Sequence, residues 1–316
     1  MSAGLSAAFL VNFMFWTGLA AGATAFAALL DLTGAEWAAA LRSDARRFRY
    51  FLPVAVPLYL LMLLGARRLY PWISQPIGSS WLRFGPFVVR DLGALTALAG
   101  AGVWFWSRAQ ETTARAAWFL VAYAVGFSIL AIDLLMSLAA PWGSTLFPAY
   151  FFVANAYAAI AAVGLVTLRR ARGGLSEASR SDLQKLLLGF SLLWMYLVWS
   201  QFIVIWYGNL RSEVGYLKAV LYERWRPLAW IIWASRFGLP LVILLPRGGA
   251  RRIQILVAGA LIVAGFWGEC FLLVAPVVSS LPDVRAAMAV TAAFCAGFVL
   301  IARFASPRHQ REPDAS

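Results

Sequence analysis

Asp133 is the only carboxylate in the stretch from Trp118 to Phe152, WFLVAYAVGFSILAIDLLMSLAAPWGSTLFPAYFF, an apolar run closed by the polar turn Ala140-Pro141-Trp142-Gly143-Ser144-Thr145. Carrying an ionised carboxyl into hydrocarbon costs at least ~2.5–3.5 kcal/mol, so a carboxyl held there implies a task and a partner. Glu269 interrupts a later apolar run in the same way, WGECFLL, and Arg90 and Arg236 interrupt two others, VVRDLG and ASRFGLP. Neither sign of charge is tolerable alone in oil. Pairing of Arg90 and Arg236 with the acids Asp133 and Glu269 is therefore expected, in polar pockets open toward the outer face. A carboxyl in such a pocket is tunable, because desolvation favours its neutral form and an arginine its ionised form. That is the property a proton acceptor requires. The competing reading is a carboxyl that only joins helices through hydrogen bonds. Asp91, beside Arg90, and Asp31, at the end of the first apolar run, read as interfacial, solvated charges.

Membrane helices must carry these residues. Of 316 residues, 62% are hydrophobic and 13% charged. Hydrophobic windows give about nine spans of the ~20 residues a bilayer requires, near 5–30, 50–66, 86–106, 117–139, 148–168, 184–207, 228–246, 253–277 and 284–304. The fold class is all-α integral membrane. A β-barrel would need alternating polarity, which runs such as Leu256 to Phe266 lack. The start, MSAGLSAAFLVNF, has no basic residues before its apolar stretch and reads as a retained helix, not a cleaved signal peptide. Between the first two spans, Thr33 and Glu36 form a capping-box pattern ahead of a short amphipathic helix. A second amphipathic segment, Glu213 to Trp225, sets Tyr216, Leu217, Val220 and Leu221 against Lys218, Glu223 and Arg224.

Twenty-seven Lys and Arg exceed fourteen Asp and Glu, but the cations lie in short loops between spans, which is a membrane-orientation signature and displaces a nucleic-acid reading. With the N-terminus outside, the inner loops hold cations at 42–49, 108–115, 169–185, 247–252 and 303–311, outnumbering the outer loops by roughly two to one. The expected location is the bacterial inner membrane with a cytoplasmic C-terminus. The single histidine, His309, cannot supply the ligand pair of a membrane haem. Cys270 and Cys295 cannot supply the four thiolates of an iron–sulfur cluster. No cofactor held by metal ligands is therefore expected, and any redox metal would belong to another subunit.

The spans fall into two groups of four with a weak repeat. Asn12 in the first helix matches Asn155 in the fifth, Arg90 in the third matches Arg236 in the seventh, and Asp133 in the fourth matches Glu269 in the eighth. The latter two precede Pro141 and Pro276 respectively. Matched helices run the same way, so the pattern is a parallel duplication. The expected division is a first four-helix bundle at 1–140, a second at 141–280, an additional C-terminal span at 281–305 and a cytoplasmic tail at 306–316. The sixth helix adds Gln201, which lies deep and needs a partner, while Trp206 and Tyr207 near its end fit an aromatic belt. Aromatic and polar side chains around one carboxyl suit a quinone ring, which needs apolar walls and one or two hydrogen-bonding groups. Fifteen tryptophans serve equally well as lipid-facing filler, so aromatic content does not locate that ligand. Nucleophile triads, phosphate loops and metal-ligand spacings are missing from the sequence; Gly173-Gly174 is a loop, and Gly18, Gly22 and Ala25 serve helix packing.

The pattern Asp133-x-x-Met136-Ser137-Leu138, then Pro141-Trp142-x-Ser144-Thr145, then WMYLVWSQFIVIWYGNL at 194–210, resembles the NrfD-like membrane subunits of bacterial alternative complex III, a quinol:cytochrome c oxidoreductase. The resemblance is closest to the F-type quinone-binding branch. It extends to VNFMFWTGLAAG at 11–22, TGAEWAAALR at 33–42, FLPVAVPL at 51–58 and LYPW at 69–72. It implies two four-helix bundles with flanking helices, and partners carrying iron–sulfur and haem c groups beside a paralogous NrfD-like subunit. It also implies proton or quinone roles for Asp133 and for Glu269, the latter standing where the family more often has aspartate. With Arg90, Arg236, Asn12, Asn155 and Gln201, these are the candidate site residues. Two alternatives stand beside this reading: the quinone-interacting anchor of another Fe–S oxidoreductase of the polysulfide-reductase type, and a secondary transporter binding substrate at the midplane.

Overall fold

Long apolar runs in oil can satisfy their backbone groups only within themselves, so they become helices. The computed structural model describes residues 2–105, 112–170, 175–221, 224–245, 251–276, 278 and 284–304, and no strand occurs among them. In chain order the helices are α1 (Ala3–Leu32), α2 (Ala39–Ala45), α3 (Leu52–Leu63), α4 (Ala66–Leu69), α5 (Phe84–Phe105), α6 (Thr112–Leu130) and α7 (Phe147–Arg170). They continue with α8 (Glu177–Gly208), α9 (Arg211–Leu221), α10 (Arg226–Trp233), α11 (Leu239–Leu244), α12 (Arg252–Val274) and α13 (Val284–Phe304). Arg108, Arg172, Gly173, Gly174, Glu223, Arg247, Arg308, His309, Arg311 and the tail at 306–316 lie outside the described residues.

Among the described residues, seven helical stretches are long and apolar enough to cross a membrane: α1, α5, α6 with its continuation to Ala139, α7, α8, α10 continuing through α11, and α12. The expected spans at 50–66 and 284–304 fall short of that measure. The first is the 12-residue α3, which ends at Leu63 before a turn at Leu64 and Gly65. The second has a shorter apolar helical part, Arg285–Ile301.

Helix α1 lies at the centre and is buried on nearly every side, as a helix apolar all round must be. It packs on α6, α7, α12 and α13; α7 packs in turn on α6, α8 and α12. Around this core, α5 lies on α6 and α3, while α10 and α11 lie on α12, with α8 beside α11. The α1–α7 crossing depends on small residues that let backbones approach. A Cβ on Gly22 would sit 2.9 Å from Ala159 Cβ and 3.0 Å from Asn155 O, and one on Gly18 would collide with the Asn155 carboxamide.

Two sequence expectations are corrected at the C-terminal end of α1. The Thr33–Glu36 capping box does not form: Thr33 Oγ1 donates to Leu29 O at 2.8 Å, and no side chain caps the turn at Glu36–Ala38. Asp31 is not a solvated charge either. Arg42 Nε lies 3.1 Å and Arg46 Nη2 3.0 Å from its carboxylate, and together they cover it.

Two spans depart from regular helix where the site residues stand. Asp133 lies in a π-helical turn, Ala131–Leu135, that tightens to a 3-10 turn at Met136–Ala139. Arg236 lies in a second π turn, Ala234–Gly238. Pro240 has no N–H to offer the carbonyls one turn back, so Arg236 O instead accepts from Tyr157 OH at 2.9 Å and Ser191 Oγ at 3.0 Å. Side chains likewise satisfy the first turn: Leu134 O accepts from Tyr70 OH at 3.0 Å, and Asp133 O from Ser137 Oγ at 2.5 Å. π turns of this kind recur at functional sites.

Candidate functional site

The first cluster joins the start of α5 to the π turn after α6. Asp133 is fully buried, with Arg90 Nε donating to Oδ2 at 2.8 Å and Trp81 Nε1 to Oδ1 at 2.7 Å. Trp81 precedes α5 and is bound to the arginine in two further ways. Arg90 Nη2 donates to Trp81 O at 3.0 Å, and the guanidinium carbon lies 4.1 Å from the indole centre. The arginine side chain is 20% exposed, so the cluster reaches the surface of the chain. Asp91, expected to be solvated, is instead fully buried, and Tyr59 OH donates to its Oδ2 at 2.9 Å. Successive helical residues point about 100° apart. With Arg90 turned to Asp133, Asp91 is directed at α3.

The second cluster is more enclosed. Arg236 is fully buried, its Nη2 donates to Ala154 O at 3.0 Å, and its Nη1 lies 2.8 Å from Glu269 Oε2. Tyr157, Trp194 and Phe266 surround the guanidinium with ring centres at 5.0–5.2 Å. Desolvated cation–π contacts are worth about 2 kcal/mol, which offsets part of the cost of burying this charge. Gly265 lets the π turn close on α12, since a Cβ there would collide with Ser235 Oγ. The other carboxylate oxygen, Glu269 Oε1, accepts from Trp194 Nε1 at 2.9 Å and from Tyr150 OH.

Glu269 also forms part of the wall of a cavity of about 560 Å³ bounded by α8, α9, α10 and α12. Its walls are mostly aromatic and aliphatic, including Trp142, Phe147, Trp199, Phe202, Trp230 and Trp233. Gln201, Tyr150, Tyr216, Arg226 and Glu269 are its polar members. The amphipathic helix α9 turns Tyr216, Leu217, Val220 and Leu221 onto the cavity, and Tyr216 stacks on Trp142 at 4.0 Å. Burial holds the Tyr216 hydroxyl above its ordinary titration range, so it stays a neutral donor. The volume and lining are those of a small-molecule site, with a few hydrogen-bonding groups among apolar walls. A ring hydroxyl in this cavity would meet a carboxylate already bound to an arginine, a tyrosine and an indole.

The remaining expected residues are placed differently. Asn12 ties α1 to its neighbours, donating to Ala8 O and Thr291 Oγ1 and accepting from Trp267 Nε1. Asn155 donates to Phe151 O at 2.7 Å and packs its carboxamide on Gly18. Both sit at helix crossings, outside the two clusters. Gln201 lines the cavity, its Nε2 donating to Leu197 O at 3.5 Å. Sequence reasoning missed Trp81, Tyr59, Tyr150 and Trp194 as carboxylate partners. The available signal was donor demand: each buried acid needs more donors than one arginine supplies. No protein-family model matches this chain, and no curated protein matches it.

Proposed function

We propose that this chain is an integral membrane subunit of a respiratory quinol:cytochrome c oxidoreductase of the alternative complex III type, and that it handles protons through Asp133 and Glu269. The observation that carries the reading is Glu269: a carboxyl held by Arg236, Trp194 and Tyr150 at the wall of an aromatic cavity with room for a quinol head. A quinol must lose protons as it is oxidised, and a carboxyl within hydrogen-bond reach is a suitable acceptor. The proposed architecture is a duplicated pair of four-helix bundles with α3 and α13 as the eighth and ninth spans. The packing supports this: α1 on α6 has its counterpart in α7 on α12, and α1 on α12 in α7 on α6. The matched acid–arginine–indole sets support it too, with Trp81 in one and Trp194 in the other.

The proposed setting is the bacterial inner membrane, with iron–sulfur, haem c and paralogous membrane subunits as partners. Purification of the tagged chain from native membranes, followed by identification of the bound subunits, tests this. A haem c subunit and an iron–sulfur subunit are the expected result. A molybdopterin subunit in their place would move the chain to the polysulfide-reductase type. Solute uptake by liposomes holding the chain alone would overturn both in favour of a transporter.

A further inference from the structure

The first cluster contains one cation and two carboxyls. Arg90 is engaged by Asp133 and by both the carbonyl and the ring of Trp81. Asp91 is fully buried; among the described residues its carboxyl has one hydrogen-bond partner, Tyr59 OH, which donates to Oδ2, and Oδ1 has none. The titratable and charged groups facing it are Arg90 on its own helix, Tyr59 from α3, Tyr70 after α4 and Asp133 after α6. An ionised carboxyl with one donor, next to a second carboxylate, bears a desolvation cost that a neutral acid avoids. At the matched place in the second cluster, directly after Arg236, stands Phe237. That cluster balances one carboxylate against one arginine.

We propose that Asp91 is a proton-storage site: it stands as a neutral acid with its exchangeable proton on Oδ1, and the second cluster has no equivalent. Release breaks the Oδ1–H bond, leaves the electron pair on Asp91 and passes the proton to water entering beside Arg90. The guanidinium then serves two carboxylates until water returns a proton. This rests on the proton-handling reading above and gives the two halves different tasks: a store in the first, a fixed ion pair beside the cavity in the second.

The test is infrared spectroscopy of the full-length chain in lipid nanodiscs at neutral pH, with isotope-labelled aspartate to mark its carbonyl. The expected result is a protonated aspartic-acid band that moves in heavy water, is lost in Asp91→Asn and survives in Glu269→Gln. Tyr59→Phe keeps the band but moves it to higher frequency, because Oδ2 loses its donor. No such band in the wild type, a band unchanged by Asp91→Asn, or one indifferent to heavy water would overturn the proposal. If Asp91→Asn does not fold, an unmoved band in Tyr59→Phe does so alone. No quinol or partner subunit is involved, so failure here is separate from failure of the oxidoreductase assignment.

Discussion

Glu269 and Arg236 show how a charge survives in a membrane interior. The carboxylate has an arginine, a tyrosine and an indole; the arginine has a carboxylate, a carbonyl and three rings. Removing one partner strands the other. Glu269→Gln leaves Arg236 buried and unpaired, and the expected loss is about 3–5 kcal/mol, read as a lower unfolding temperature in detergent. Asp133→Asn is expected to cost less in the same measurement, because Arg90 is partly exposed and keeps the carbonyl and ring of Trp81. Trp194→Phe removes one hydrogen bond to a charged group and is expected to cost about 1.5–3 kcal/mol. The two acid–arginine pairs were legible in the sequence, since isolated charges in oil require partners. The burial of Asp91 was not: nearness to the end of an apolar run suggested water, whereas its helical phase next to Arg90 aims it at Tyr59.

The helices themselves follow from hydropathy, and their joints follow from small residues and prolines. Gly22 faces backbone as well as Ala159, so the neighbour cannot yield. Gly22→Leu is expected to cost about 1–3 kcal/mol or more by overpacking, checked by thermal unfolding and by recovery from membranes. The same substitution at Gly93, where a Cβ would meet open space, is expected to leave both unchanged. Helix α9 was legible as amphipathic, but its apolar face covers the cavity, because Trp142 and α8 present a matching apolar wall. Local pattern names an apolar face; only the tertiary arrangement names what it covers. Thr33 illustrates the same limit, its hydroxyl satisfied by the preceding turn before it can cap the next.

For the molecule as a whole, a central α1–α7 pair carries two outlying sets of helices, each with one acid–arginine–indole cluster. Both clusters lie level with the first half of α1, through Phe13 against Tyr59 and Asn12 bonded to Trp267, and the proposed orientation places that half outside. The two clusters share an acid, an arginine and an indole, and they differ where Asp91 follows Arg90 and Phe237 follows Arg236. The central claim is that these carboxyls handle the protons of quinol oxidation. Its most direct test is quinol:cytochrome c turnover with simultaneous proton release, measured on the purified, fully assembled complex carrying Asp133→Asn or Glu269→Gln. The account predicts that each variant loses roughly 10²-fold in turnover and that proton release falls with it. Full turnover and unchanged proton release in both variants would contradict it.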